Sequence, residues 1–248
     1  MPVINSLNNF RVLQWLKLKD RQRRNSQKLF VAEGWHLVSE AYKTRFLNEI
    51  ITTEKSVEFD APTYQVTYEV MEKLSSLATP TKIMGVCRQL ESDEIKDSVL
   101  LVDQVHHPGN LGTIIRNAAA FGVDTVALDG SVDVYNQKVI QATRGMLFHV
   151  NIVKKRLNEF IVDLKRQGYL IIGADANAGV SPERIRAGER RAVLVGNEAF
   201  GAGGDLLGLC DAKVRIEMST ACDSLNVGVA TGIILYCLNR NNAVNKTE

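Results

Sequence analysis

The stretch SVLLVDQVHHPGNLGTIIRNAAAFGVDTVAL (residues 98–128) decides the fold. It opens on a stretch (98–103) whose interior, 99–102, is wholly apolar, breaks at Pro108–Gly109, continues as an Ala-rich segment of helical spacing (111–121) and closes on a second stretch that ends apolar (124–128). Short apolar runs without polar alternation read as strands buried on both faces, and a helix joining two of them is the crossover of a parallel pair. The pattern repeats downstream. VNIV (150–153), YLIIGAD (169–175), AVLVG (192–196) and AKVRIEM (212–218) read as strands. Residues 136–143 and 157–167, and a long segment from Leu225, read as helices. The expected class is α/β, a parallel sheet with helices on both faces. Ligands of such sheets bind beyond the carboxyl ends of the strands.

Upstream the chain changes character. Residues 5–18 carry Leu7, Phe10, Leu13 and Leu16 at approximate helical spacing. LFVAEG (29–34), NEIITT (48–53) and KIMGVCRQL (82–90) read as strands, with helices to Tyr42 and over 68–75. LESDEIKDS (90–98) is acidic, lacks apolar periodicity and reads as a linker. The organisation expected is a small α/β domain over residues 1–91, a linker over 92–98, a larger domain over 99–242 and a tail over 243–248. Charge divides the same way. Residues 1–90 hold 13 Lys and Arg against 9 Asp and Glu, whereas residues 91–248 hold 17 against 19. Seven of the N-terminal cations fall between Arg11 and Lys28, with Asp20 the one acid among them. Such a cluster suits either a phosphate-contacting footprint or a solvated helix face.

Three segments at strand ends carry candidate chemistry. In the first, Asn110 stands where a helix N-cap is expected, and Arg116 follows among Ile114, Ile115, Ala118 and Ala119. That setting leaves little polar surface, so the guanidinium is expected to reach into a cleft, where its fixed charge and planar donors suit phosphate or carboxylate. In the second, the strand ends in GNEAFGAGG (196–204) with Glu198 in the loop. A P-loop is excluded, because Ala202–Gly203 stand where Lys-Ser/Thr is required. A dinucleotide fold is disfavoured, because glycines at 196, 201, 203 and 204 do not make GxGxxG. In the third, Ser224-Leu225-Asn226 open the most apolar helix of the chain, with Ser224 as the expected N-cap. Gly228, Ala230 and Gly232 give that helix a thin side for close packing.

Cys87, Cys210, Cys222 and Cys237 form no CxxC pair and have no His at ligand spacing, which argues against zinc and against a disulfide scaffold. Residues 1–10 lack the apolar core of a signal peptide, and no run approaches membrane-spanning length. The expectation is a cytoplasmic protein without a metal or a membrane partner.

Taken in order, Asn110 with Arg116, Gly196 with Glu198, and Ile216 and Met218 with Ser224-Leu225-Asn226 resemble the three motifs of the SpoU (TrmH-like) RNA ribose 2′-O-methyltransferases, a branch of the SPOUT superfamily. The resemblance implies a C-terminal trefoil knot, a homodimer through the catalytic domain, and S-adenosyl-L-methionine (SAM) as cofactor. It implies SAM binding around Val195, Gly196, Asn197, Ile216, Met218, Ser224, Leu225 and Asn226, and catalytic roles for Asn110, Arg116, Glu198, Ser224 and Asn226. RQRRNSQKLFVAEGWHLVSEA (21–41) resembles the N-terminal RNA substrate-binding domain of such enzymes, which implies RNA contacts from Arg21, Arg23, Arg24 and Lys28, joined by Arg116. The RNA expected is ribosomal, with transfer RNA second. A non-catalytic RNA-binding scaffold and an NAD-dependent oxidoreductase are the rival classes. Glu217 stands where Pro is common, Ala199 and Thr220 where Gly is usual, and Gly228 where Ser is common.

Overall fold

A computed structural model describes residues 3–90, 94–186 and 188–244, and the chain divides into two compact units. The first comprises Met1–Leu90 with Tyr135–Phe148, the second Glu91–Val134 with His149–Glu248.

The first unit begins with α1 (Phe10–Lys17), α2 (Arg21–Gln27), β1 (Leu29–Glu33), α3 (Trp35–Lys43), β2 (Leu47–Thr52), β3 (Thr63–Gln65), α4 (Tyr68–Leu74) and β4 (Ile83–Arg88). Its sheet runs β1-β4-β2-β3, antiparallel except for β2 with β3. Val12, Trp15, Val70 and Met71 pack on Ile51, Met84 and Val86 of one face, and Val38 packs on Ile50 and Ile83 of the other. Helix α1 starts later than residue 5, because Asn9 caps it by accepting from the Arg11 N–H at 2.9 Å. Helix α2 carries no apolar stripe and escaped the periodicity reading. It is held by an Asp20 cap and by Arg24, which is buried and donates to the Leu18 and Lys19 carbonyls at 3.0 and 2.8 Å. Arg24 therefore closes the C-terminal end of α1 and does not join Arg21, Arg23 and Lys28, which are exposed.

The second unit holds β5 (Ser98–Asp103), α5 (Pro108–Ala120) and β6 (Thr125–Asp129). The chain then contributes α6 (Gln137–Thr143) to the first unit before returning through β7 (Asn151–Lys154), α7 (Leu157–Arg166), β8 (Leu170–Ala174), β9 (Arg191–Val195), α8 (Gly204–Gly208), β10 (Ala212–Val214) and α9 (Val227–Val244). The six strands run β10-β8-β9-β5-β6-β7, all parallel. Leu157, Phe160, Ile161 and Leu164 of α7 pack on Leu101, Ala127, Val153 and Leu194. The alternate residues Leu100, Val102, Val126 and Val193 are buried as well, so the sheet is covered on both faces.

Three expectations are corrected here. The strand expected over 212–218 ends at Val214, because β8 ends at Ala174 and the Arg215 N–H turns to the Val180 carbonyl; Ile216 and Met218 lie in irregular chain beyond it. The helix expected near 136–143 forms, but in the first unit. Gln137 and Gln141, one turn apart on α6, donate to the Val31 and Glu33 carbonyls at 2.7 and 2.9 Å, and Phe148 stacks on Phe30. The side chains of α6 thus satisfy the open edge of β1, which an unpaired strand needs. Finally, α9 runs to Val244, past the point where the tail was expected. Linker residues 91–93 and tail residues 245–248 lie outside the described residues. Among the described residues no helix is long and apolar enough to cross a membrane, and no group of three or more His, Cys, Asp or Glu is placed to hold a metal ion.

The placement of Arg24 has a measurable consequence. Arg24→Ala leaves two carbonyls at the end of α1 without their donor and should destabilise the first unit by about 2 kcal/mol. Arg21→Ala and Arg23→Ala should stay within about 0.5 kcal/mol of wild type. Both tryptophans, Trp15 and Trp35, belong to this unit, so urea unfolding followed by tryptophan fluorescence reads the difference directly.

Candidate active site

Strand β5 leads to β6 on one side of the sheet, while β9 pairs with β5 on the other. Chain connections therefore diverge at the carboxyl ends of β5 and β9, the place where open parallel sheets form ligand crevices. The loop of 104–107 leaves the first of these ends and residues 196–203 leave the second.

The loop after β9 is built by close backbone approach. A Cβ on Gly196 would lie 2.0 Å from the Ala202 nitrogen and 2.2 Å from the Gly201 carbonyl carbon, so no side chain fits there. Asn197 and Gly201 exchange both backbone hydrogen bonds at 2.9 Å, and Gly201 takes φ +72 to close the turn. The Asn197 side chain accepts from the Ala199 and Phe200 N–H groups and donates to the Gln104 carbonyl at 2.9 Å. Buried Asp103 accepts from the Gly203 N–H at 2.9 Å. These bonds lock the loop to the end of β5 and leave Glu198 at its tip.

Glu198 then gathers the other segments. Its carboxylate accepts from the backbone N–H of His107 at 3.0 Å, from that of His106 at 3.4 Å and from Asn110 Nδ2 at 3.0 Å. Partial burial pushes its pKa up, but the donors from Asn110, His107 and His106 outweigh that, and the carboxyl sits below the ordinary value of 4.5. Asn110 Oδ1 in turn accepts from Asn226 Nδ2 at 2.8 Å. Residues 110, 198 and 226 thus form one chain of hydrogen bonds.

The caps differ from expectation. Pro108, with its preset φ, occupies the first turn of α5, and His107 takes the N-cap position without a side-chain cap bond. Asn110 lies inside the first turn, where its amide is free to reach Glu198. Likewise Asn226, rather than Ser224, caps α9: its Oδ1 accepts from the Gly228 and Val229 N–H groups at 2.9 and 3.3 Å. An Asn ahead of an apolar helix is explained by this double use of its amide.

Helix α9 packs on α5 along its thin side. A Cβ on Gly228 would lie 2.8 Å from Thr113 Cγ2, and one on Gly232 would lie 3.1 Å from Asn117 Nδ2, which also donates to the Gly228 carbonyl at 2.7 Å. Gly228 and Gly232, one turn apart, let the two helices touch at this seam. Arg116 is exposed and, among the described residues, makes no hydrogen bond or ion pair. It lies seven residues, two helical turns, beyond Gly109 and so on the same stripe of α5. Its exposure departs from the enclosed position that the sequence suggested.

Of the residues proposed from sequence for the cofactor, Val195 is buried at the end of β9, and Gly196 and Asn197 build the loop just described. Ile216 and Met218 are half-buried, Leu225 likewise, and Ser224 is exposed. Among the described residues, the backbone from 216 to 225 is bonded through the Cys222 N–H to the Ser219 carbonyl and Cys222 Sγ to the Ser224 carbonyl. Most of its polar groups are left for another partner. Sequence reasoning missed the two backbone donors at His106 and His107, and it missed Asn117 and Asp103, whose residue types alone mark nothing.

The chain resembles known proteins along most of its length. Residues 97–236 match the SpoU rRNA Methylase family, and residues 9–85 match the MRM3-like substrate binding domain. The chain is 33% identical to the 23S rRNA (guanosine(2553)-2′-O)-methyltransferase RlmP of Bacillus subtilis, over 96% of this chain and 99% of that one. An AdoMet-bound rRNA methyltransferase from Sinorhizobium meliloti superposes with a TM-score of 0.85 at 26% identity, covering 96% of this chain and 97% of that one. A putative RNA methyltransferase of the TrmH family from Porphyromonas gingivalis gives 0.85 at 28%, over 95% and 99%. With a match of that extent lying over the crevice itself, the chain belongs to the SpoU rRNA methylase family.

Proposed function

We propose that this protein transfers a methyl group from SAM to a ribose 2′-hydroxyl of ribosomal RNA, with 23S rRNA as the substrate. The observation that carries the reading is the hydrogen-bonded chain Glu198–Asn110–Asn226, which brings three distant family motifs to one strand-end crevice. The name of the B. subtilis relative supports ribosomal rather than transfer RNA, and its place of action would be the cytoplasm.

The residues present fit the cofactor. Gly196 has no room for a side chain, half-buried Ile216 and Met218 offer apolar cover, and the unpaired backbone of 216–225 offers donors and acceptors for an adenosine. SAM would be held by Val195, Gly196, Asn197, Ile216, Met218, Ser224, Leu225 and Asn226, and it supplies a methyl group already activated on a sulfonium. The protein's own work is alignment and charge. Arg116, unengaged and on the exposed stripe of α5, binds the phosphate beside the target ribose and stabilises negative charge as it develops on the hydroxyl oxygen. Asn110, Ser224 and Asn226 orient the ribose, and Glu198 fixes Asn110 and the turn ahead of α5. Residues 1–91, completed by 135–148, form the RNA substrate-binding domain, in which Arg21, Arg23 and Lys28 offer phosphate contacts; the rest of residues 99–242 forms the catalytic domain.

Two finer features belong to the same reading. After edge strand β10 the chain returns to pack α9 on α5, which leaves β5 toward the opposite half of the sheet, a path that supports the trefoil knot of the family. Val229, Ile233 and Tyr236 are 50%, 37% and 53% exposed, one apolar stripe of α9, and they support a homodimer through the catalytic domain.

Wild-type protein should move label from SAM to an unmodified 23S rRNA transcript and create a site resistant to alkaline cleavage, with a chelator present. Arg116→Ala should lower the single-turnover rate by roughly 10²–10³-fold while SAM affinity by calorimetry stays unchanged. Arg116→Lys should fail similarly, because a point charge does not replace the planar fork; wild-type turnover by the Lys variant contradicts the role.

Glu198→Gln should lower the melting temperature at neutral pH. A depressed carboxyl pKa contributes stability above the unfolded value and loses it as pH falls through the folded one. The gap between variant and wild type should therefore hold above pH 5 and close below about 4.5, read by thermal melts across pH. Ile233→Glu should convert the dimer into a monomer in sedimentation of the whole chain; a wild-type monomer at micromolar concentration removes the proposed interface.

A further inference from the structure

A lone apolar side chain on a surface is ordinary in itself. Phe200 differs in how it is held and in where it stands. At 92% exposed it is the barest large apolar side chain among the described residues. Its backbone, by contrast, is pinned. The three N–H groups at the tip of the loop after β9 all go to Asn197: those of Ala199 and Phe200 to its Oδ1 at 2.8 and 3.3 Å, and that of Gly201 to its carbonyl at 2.9 Å. Asn197 is itself tied to the Gln104 carbonyl beyond β5, and Gly196 lies too close to residues 201 and 202 for the turn to take another shape.

The place is the strand-end crevice. Phe200 follows Glu198 by two residues, so the two Cα atoms lie within about 7 Å of each other. The Glu198 carboxylate touches the His107 N–H and Asn110 Nδ2 at 3.0 Å each, which sets this turn against the start of α5. The chain around the ring is thin. Ala199, Gly201, Gly203 and Gly204 are exposed, and a Cβ on Gly201 or Gly204 would meet nothing within 4 Å. Both faces of the ring therefore stand in water.

That setting separates the ligands that such a ring takes. A second copy of the chain needs about 800 Å² from each partner, whereas a phenylalanine supplies about 150–250 Å² and its neighbours here add only glycine and alanine. The apolar stripe suited to a second copy lies on α9 instead. A cofactor pocket is concave and encloses its ligand, and a ring at the tip of a turn encloses nothing. A nucleobase needs one flat aromatic face with open space beside it. RNA bound at unpaired nucleotides offers such bases, splayed out of their stacks and laid on aromatic side chains.

We propose that Phe200 is a stacking platform for an unpaired base of the substrate RNA, adjoining the ribose that is methylated. The proposal rests on the methyltransferase reading and adds to it a contact to a base, where Arg116 and the cations of the first unit contact phosphate. The pinned turn makes the platform effective, because a backbone already fixed loses little freedom when the base docks. Every base has a flat π face, so Phe200 contributes affinity and placement and leaves the choice of sequence to other groups.

The test uses the full chain and an unmodified 23S rRNA transcript. Phe200→Ala should weaken RNA binding by roughly 5–150-fold, the contribution of one stacked base, and slow single turnover at subsaturating RNA by the same factor. Its melting temperature and its SAM affinity by calorimetry should match wild type, because the ring packs on almost nothing. The dependence of RNA affinity on salt should also keep its slope, since stacking releases no counterions, whereas Arg23→Ala should flatten it. Phe200→Trp should bind as wild type does, and its indole should be quenched by RNA beyond any change from Trp15 and Trp35. Phe200→Leu should fail like the Ala variant, having apolar bulk without a flat face. RNA binding by Phe200→Ala within twofold of wild type, or by Phe200→Leu equal to it, overturns the proposal. So does lost SAM affinity in Phe200→Ala, which makes the ring a cofactor cover, or a changed oligomeric state in sedimentation, which makes it a subunit contact. A wild-type protein that binds SAM yet methylates neither ribosomal nor transfer RNA overturns the methyltransferase reading instead, and the RNA affinity of Phe200→Ala still decides the stacking role.

Discussion

A single exposed carboxylate decides where the site forms. Three loops leave the sheet at the ends of β5, β9 and β10, and nothing in a parallel sheet obliges them to meet. Glu198 obliges two of them, by taking both backbone N–H groups of the turn before α5 and the amide of Asn110. Asn110 passes the constraint to Asn226, and Asn226 spends its other face capping α9. Each partner uses groups that a bare loop or helix end would leave to water, so the assembly rests on good geometry and not on burial.

The second constraint is steric. Gly196 lies against the backbone of residues 201 and 202 so closely that the loop holding Glu198 has one shape, and Asn197 and Asp103 tie that shape to β5. On the other side, Gly228 and Gly232 bring α9 onto Thr113 and Asn117 of α5. Farther along the same pair of helices, Asn239 donates to the Phe121 carbonyl and accepts from Arg191, a buried guanidinium whose pKa is lowered by desolvation. The helix pair is thus pinned at both ends, and the residues between the pins include Arg116.

Much of this was legible in the sequence, for reasons that differ by residue. The parallel sheet followed from apolar runs too continuous for a half-exposed strand. The three motif segments were visible because Gly, Asn and Glu at strand ends are unusual where apolar residues dominate. What escaped depended on contacts that no local pattern carries. Arg24 sits in a row of cations and reads as one more surface charge, yet its guanidinium closes α1. Asn110 and Ser224 each look like a cap, but Pro108 moves one helix start toward the N-terminus and the double use of Asn226 moves the other toward the C-terminus. The helix over 137–143 was found from its pattern, whereas its allegiance to β1 rests on two glutamines that a sequence reading treats as solvent-facing.

That allegiance bears on how the chain is made. During synthesis the first sheet emerges early, but the outer edge of β1 stays bare until α6 and Phe148 have left the ribosome, about 60 residues after β4, or several seconds at ~5–20 residues per second. Through that interval the nascent protein exposes an open strand edge of the sort that recruits other strands. The cover arrives only after β5, α5 and β6 have been delivered, so completion of the N-terminal unit is timed to the appearance of the first motif of the catalytic one. A chain truncated before residue 148 would be left with neither unit finished.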